Sequence, residues 1–296
     1  MPELSNSFYG SLRLFEKLSM NQLCIKLYRD FENYFGQIAD QSRTDIVNAT
    51  HQARKALKSY RAFVKLFRDC PEAADWKPAN YLLRDLGKEF SDMRDAHVRG
   101  MLLTELNGSL KLPVLQKLIE ENSRKTAAKE KVLLSRPNHF DELNSTIKES
   151  AVLSDLFKQS HIDEDCIVEG FRSTFRKSYE AFSDSRQVKT EEAYHEWRKR
   201  LKDLLNQLKL FRYEQDLIEN EQYIRIDTLC EEMGMLNDMA MLKEWIEQRE
   251  AESAGIIRFL DKKISGFQKR LTKSGSSLYT NPDEVLSELE HLIKNE

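Results

Sequence analysis

The sequence has no excess of positive charge: its 46 lysines and arginines are outnumbered by 49 acids, for a net charge of −3. That balance excludes a polycation that coats nucleic acid over its whole surface, so any anion site must be local. Cysteines are few and scattered. Cys24, Cys70, Cys166 and Cys230 form no CxxC pair and no zinc-ligand spacing, and four reduced thiols in a cytosol are expected. No apolar run reaches the roughly 18 residues of a membrane span. The opening MPELSNSFYGSLRLFEKL also lacks the basic and continuous apolar regions of a secretory leader. A soluble, cytoplasmic protein with no membrane partner is expected. Alternating strand patterns bounded by Asn-Gly or Asp-Gly turns are missing too, which leaves an all-α chain.

What is present is apolar spacing of helical period over nearly every long segment, in a chain that is 40% hydrophobic and so able to bury a sizeable core. Breakers at 70–78, 107–113, 135–139, 183–187 and 272–283 divide it. Between them the pattern predicts helices near 20–39, 44–69, 77–106, 112–133, 162–182, 189–214, 219–250 and 253–272. Extra helices or connectors are expected near 4–18, 138–158 and 282–294.

Four helices followed by four suggest a duplication, and the sequence contains one. A shift of 144 places His51 on His195, Arg54 on Arg198, Lys55 on Lys199, Lys58 on Lys202, and the run Lys65–Arg68 on Lys209–Arg212. A shift of 143 lays Arg94-Asp95 on Asn237-Asp238. The expected organisation is an N-terminal extension (1–19), a first four-helix half (20–135), a connector (136–160) and a second four-helix half with a C-terminal helix (161–296). Two antiparallel bundles related by a pseudo-two-fold axis would follow.

Residues 51–68 carry His51, Arg54, Lys55, Lys58, Arg61, Lys65 and Arg68 with no acid, where this composition would give about three. At about 100° per residue these charges fall in one band, while Ala53, Ala56, Leu57, Tyr60, Phe63, Val64 and Phe67 fall opposite and supply core. In the second copy Arg198, Lys199, Lys202, Lys209 and Arg212 repeat the band, Glu196 and Asp203 project outside it, and Arg61 becomes Leu205. The helix before it adds Arg172 and Arg176. Ordinary solvated faces interleave both signs because like charges one turn apart repel, so a one-sign band kept twice points to an anion site. Each band opens on a histidine whose imidazolium a neighbouring anion would favour. Asp95 and Asp238, with Arg94 and Asn237, are expected to serve packing or capping.

The paired stretches HQARKALKSYRAF and HEWRKRLKDLL, followed by helices bearing RDAHV and NDMAM, resemble the CHAD family, the conserved histidine α-helical domains. The similarity covers roughly residues 20–272. It implies two four-helix bundles around a basic central cavity, binding of inorganic polyphosphate, association with polyphosphate granules, and neither catalysis nor a cofactor. Carried over by position, His51, Arg54, Lys55, Lys58, His195, Arg198, Lys199 and Lys202 would be the anion ligands, with Arg61 in the first half only. Lys65, Lys209, Arg172 and Arg176 join them as candidates from the charge pattern. The E-x-E-x-K strand of the triphosphate-tunnel hydrolase domain that many relatives carry does not occur, which implies a stand-alone version.

Two other readings compete. A metal-dependent phosphohydrolase would need carboxylates and histidine converging on a cation; Asp92, Asp95 and His97 are the close candidates, without a matching set in the second copy. Nucleic-acid binding shares the electrostatics but lacks a helix-turn-helix, a zinc finger or an aromatic platform on the stripe. Neither a metal nor nucleic acid is expected as a partner.

Overall fold

The protein is described by a computed structural model covering residues 18–71, 75–136, 138–157, 162–212, 214–249 and 254–294. The helix expected near 4–18 lies outside these, apart from its last residue. The first half of the chain forms α1 (Met20–Ser42), α2 (Ile46–Val64) continued by a 3-10 turn (Lys65–Asp69), α3 (Trp76–Glu89), α4 (Ser91–Leu110), α5 (Pro113–Leu134), α6 (His139–Lys148) and α7 (Ala151–Phe157). The second half forms α8 (Glu164–Val188), α9 (Glu191–Phe211), the short α10 (Glu214–Leu217), α11 (Glu221–Glu247), α12 (Ala254–Leu278) and α13 (Pro282–Ile293). Among the described residues there is no strand.

Local chemistry sets the helix starts. The Ser19 hydroxyl accepts from the Gln22 N–H, and the Gln22 side chain accepts from the Ser19 N–H, a reciprocal cap at α1. Asp163, 144 positions later, caps α8 through the Asp165 N–H. Asp45, Thr190 and Asn220 cap α2, α9 and α11 in the same way. Each such cap contributes about 1 kcal/mol.

The break expected at 183–187 comes later, because α8 continues through that stretch to Val188. Those expected at 107–113 and 272–283 fall within these stretches but towards their ends: α4 runs to Leu110, and α12 runs past Gly275 to Leu278. Gly275 is there for packing: a methyl group at that position would collide with the rings of Phe182 and Trp197. Conversely, the single helix expected over 77–106 breaks at the buried Phe90 into α3 and α4, whereas its counterpart α11 is unbroken.

Buried side chains do not divide into one core per half. The larger cluster takes residues from both, including Phe31, Tyr60, Phe63 and Phe157 from the first and Phe171, Phe182, Trp197 and Leu204 from the second. Phe31 stacks on Tyr60 with ring centroids 4.3 Å apart, and Phe63 stacks on Phe157 at 4.8 Å. A smaller cluster joins Leu103 and Leu106 of α4, Leu115 and Leu118 of α5, Leu242, Trp245 and Ile246 of α11, and Ile256 and Leu260 of α12. Both clusters therefore cross between the halves. α2 packs directly on α9, and the Gln207 amide of α9 donates to the Ala62 carbonyl of α2 at 2.9 Å.

The expectation of four free thiols needs correction. Cys70, just after the 3-10 turn, is disulfide-bonded to Cys166 of α8, 96 positions further along the sequence, with Cα atoms 5.2 Å apart. Cys24 and Cys230 are free and buried. The pairing follows from a close helix approach that no cysteine spacing announces. One turn beyond Cys166, Gly170 lies against the backbone of Leu66, where any Cβ would overlap the Leu66 carbonyl.

Candidate functional site

The face of α2 opposite its buried residues meets the corresponding face of α9 around a cavity of about 370 Å³. α2 lines it with His51, Arg54, Lys55 and Lys58, and α4 adds Arg94. α9 contributes Arg198, Lys202, Asn206, Lys209 and Arg212, and Leu217 of α10 completes the wall. Helical periodicity is what groups these: on α9 the lining residues recur every three or four positions, so they form one stripe while Leu201, Leu204, Leu205 and Leu208 are buried on the other side.

Carboxylates hold some of these cations from behind. Arg94 bridges Asp95, at 3.5 Å, and Asp238 of α11, at 3.3 Å. Arg54 lies 4.0 Å from Asp95. Lys209 pairs with Asp227 at 3.1 Å and lies over the Tyr223 ring, and Arg212 donates to the carbonyls of His291 and Lys294. Lys58, Arg198 and Lys202 form no ion pair among the described residues. The Nε of Arg198 is buried there without a protein acceptor.

The consequence is a site that resists its own charge. The Lys58 ammonium is pushed down from 10.5 to about 8, first by burial and then by repulsion from Arg54, Arg198, Arg94 and Lys202. Its side chain is nevertheless exposed to solvent, so its desolvation is partial. The repulsion is the component that an anion reverses. His51 is lowered by burial and by Lys55, Arg94, Lys58 and Arg54, which keeps it neutral near pH 7. Burial also lowers Lys202 and Arg198. Lys209 moves the other way: burial opposes its charge, but Tyr223 and Asp227 outweigh that and raise it.

Not every expected ligand reaches this cavity. His195 and Lys199 line a separate pocket with Glu191, Glu192, Glu196 and Glu244; His195 Nδ1 is 2.6 Å from the Asn237 Oδ1, and Lys199 pairs with Glu196. Arg61 donates to Asn80 at 3.2 Å. Lys65 pairs at 2.5 Å with Asp203, so the acid that projected outside its own band neutralises the other one. Arg172 grips Glu290 of α13 through two hydrogen bonds, at 2.7 and 2.9 Å, and both Arg172 and Arg176 pair with Glu169. Arg172 thus fastens α8 to α13, Arg176 pairs within α8, and neither lines the cavity. The structure thus gathers the start of the first stripe and the later part of the second.

Three lining residues lie outside the cationic bands expected from the sequence: Arg94, expected to serve packing or capping, which does both jobs; Asn206, which carries no charge to draw notice; and Leu217. Arg212, a member of the expected second band, closes that stripe. Of the metal candidates, Asp95 and His97 turn to different partners. Asp95 serves Arg54 and Arg94, His97 contacts Glu130 at 2.9 Å, and the Asp92 side chain lies outside the described set. Among the described residues no group of three or more His, Cys, Asp or Glu could hold a metal ion, and no helix is long and apolar enough to cross a membrane.

The fold and cavity define a helical protein with clustered cations facing one cavity that opens to solvent. The family model of the CHAD domain matches residues 30–247, and the chain belongs to that family, whose domain binds polyphosphate. A comparison with curated proteins returned no match.

Proposed function

We propose that this protein binds inorganic polyphosphate, without transforming it, in the cavity between α2, α4 and α9. The observation that carries this reading is the convergence of Lys58, Arg198 and Lys202 on one space, each without an ion pair among the described residues, and a buried Arg198 N–H lacking an acceptor. A chain anion supplies what the site lacks. Polyphosphate carries roughly one charge per phosphorus, and displacing its condensed counterions favours association as it does for nucleic-acid backbones. The Arg198 guanidinium offers forked donors and the lysines mobile point charges. Membership in a polyphosphate-binding family supports the same ligand, and we propose that this binding is what would bring the protein to polyphosphate granules.

Charge reversal tests it. Lys58→Glu with Lys202→Glu should abolish retention on immobilised polyphosphate while the far-ultraviolet helix signal stays intact. Lys199→Glu, in the neighbouring pocket, should bind nearly as wild type. Wild-type binding by the double variant would refute the assignment. Equal displacement by DNA or RNA would replace polyphosphate with a general polyanion ligand, and sustained phosphate release with magnesium or manganese would establish an enzyme instead.

A further inference from the structure

The cations of this cavity are unevenly spread. At one end three helices converge, and Lys58 is surrounded by Arg54, Arg94, Arg198 and Lys202. At the other end, among the described residues, only α9 and α10 line the wall, and both basic side chains there already have partners: Asp227 for Lys209, and the carbonyls of His291 and Lys294 for Arg212. Between the two ends sits Asn206. It is 7% exposed, lines the cavity, and makes no hydrogen bond to the protein among the described residues. Its counterpart in the first half is Ala62, also buried, so the duplicated helix packs with or without an amide at this position.

A linear polyphosphate is uneven in the same sense. Its interior units carry one charge each. The terminal phosphoryl group has a second ionisation near pH 6, so above neutrality it carries close to two. The cavity volume, about 370 Å³, lies near the lower limit of pockets that hold small ligands, ~300–1,000 Å³, and suits a few phosphoryl units. From Arg198 to Arg212 the lined face of α9 extends about 21 Å.

We infer that the cavity holds one end of a linear polyphosphate chain, its terminal phosphoryl group among His51, Lys58, Arg94 and Arg198 and the next units laid along α9 past Asn206. The inference rests on the polyphosphate reading above and adds a direction and a chain-end requirement to it. Two N–H donors of the Asn206 amide match the oxygens of a singly charged interior unit without adding positive charge where the ligand's charge is lower.

The test uses the intact protein and chains of several tens of units whose two terminal phosphates are either free or blocked as phosphoramidates. Blocking the ends removes a negligible share of the total charge. Titration calorimetry should show affinity for blocked chains reduced at least about tenfold, the size expected from losing charge-assisted contacts. Asn206→Ala, which copies the first half, should weaken linear tripolyphosphate about tenfold and leave orthophosphate unchanged. If blocked chains, or cyclic trimetaphosphate, bind as tightly as open chains of similar charge, the end-binding inference is overturned and polyphosphate binding stands. An Asn206→Ala variant with unaltered tripolyphosphate affinity would likewise overturn it. Binding of none of these anions would overturn both.

Discussion

Polyphosphate affinity should fall with rising pH in the alkaline range, and Lys58 sets the size of the effect. Its ammonium titrates at about 8 in the anion-free protein against 10.5 for an ordinary lysine. An anion in the cavity offsets the repulsion from Arg54, Arg198, Arg94 and Lys202, so binding draws a proton onto Lys58. Were the ordinary value fully restored, linkage would reduce affinity about twentyfold between roughly pH 7.5 and 9.5. Because Lys58 is exposed to solvent, the coupling is screened and we expect about fivefold. Interior phosphates do not titrate in this window, and terminal ones are ionised by its start. Stability of the free protein takes the opposite sign. Between about pH 8 and 10.5 the unfolded chain binds more protons than the folded one, so stability rises with pH as the crowded charge is released. Fluorescence anisotropy with end-labelled polyphosphate at constant ionic strength would measure the affinity, and Lys58→Arg, which keeps the charge but cannot titrate, should flatten the slope to the contribution of Lys202. A wild-type affinity independent of pH over that range, or an undiminished slope in Lys58→Arg, would refute the reasoning.

Asp203→Asn should destabilise the protein by about 3 kcal/mol in urea unfolding, because it strands the largely buried Lys65 between the halves; a loss below about 1 kcal/mol would class the pair with surface ion pairs. Cys166→Ser should cost about 2–5 kcal/mol, as expected for opening a long disulfide loop, and thiol titration of the denatured wild-type chain should find two reactive cysteines, with four arguing against the Cys70–Cys166 bond. Gly170→Ala should cost at least about 2 kcal/mol because the Leu66 carbonyl cannot move aside as a side chain can. Thermal unfolding indistinguishable from wild type would show that α8 can shift there freely.

Much of this molecule was legible before any coordinates. The apolar set on α2, from Ala53 to Phe67, is buried throughout, because helical period alone decides which side of a helix can face water. The duplication carried over into the helices: α1 with α8, α2 with α9, α5 with α12, and α6 with α13 begin near one common offset. What stayed illegible depends on contacts between distant segments. Nothing near Asp203 says that Lys65, 138 residues away, will claim it. Arg172 and Arg198 look alike in sequence, yet Glu290 occupies one and, among the described residues, no carboxylate pairs with the other. Equal motifs gave unequal sites because His195 faces four glutamates where His51 faces Arg94. Gly275 falls in a stretch that reads as a breaker and Gly170 carries no signal of its own, yet both mark places where another element comes too close for a Cβ.

The sharing of hydrophobic side chains across the two repeats also governs how the chain can be divided. Severed between Phe157 and Ile162, neither piece would retain a partner for the flank of α2 or α9 it exposes, and each should precipitate when made alone. Synthesised together in one cell, the two pieces should rebuild a soluble whole, as a pair of interlocking subunits would.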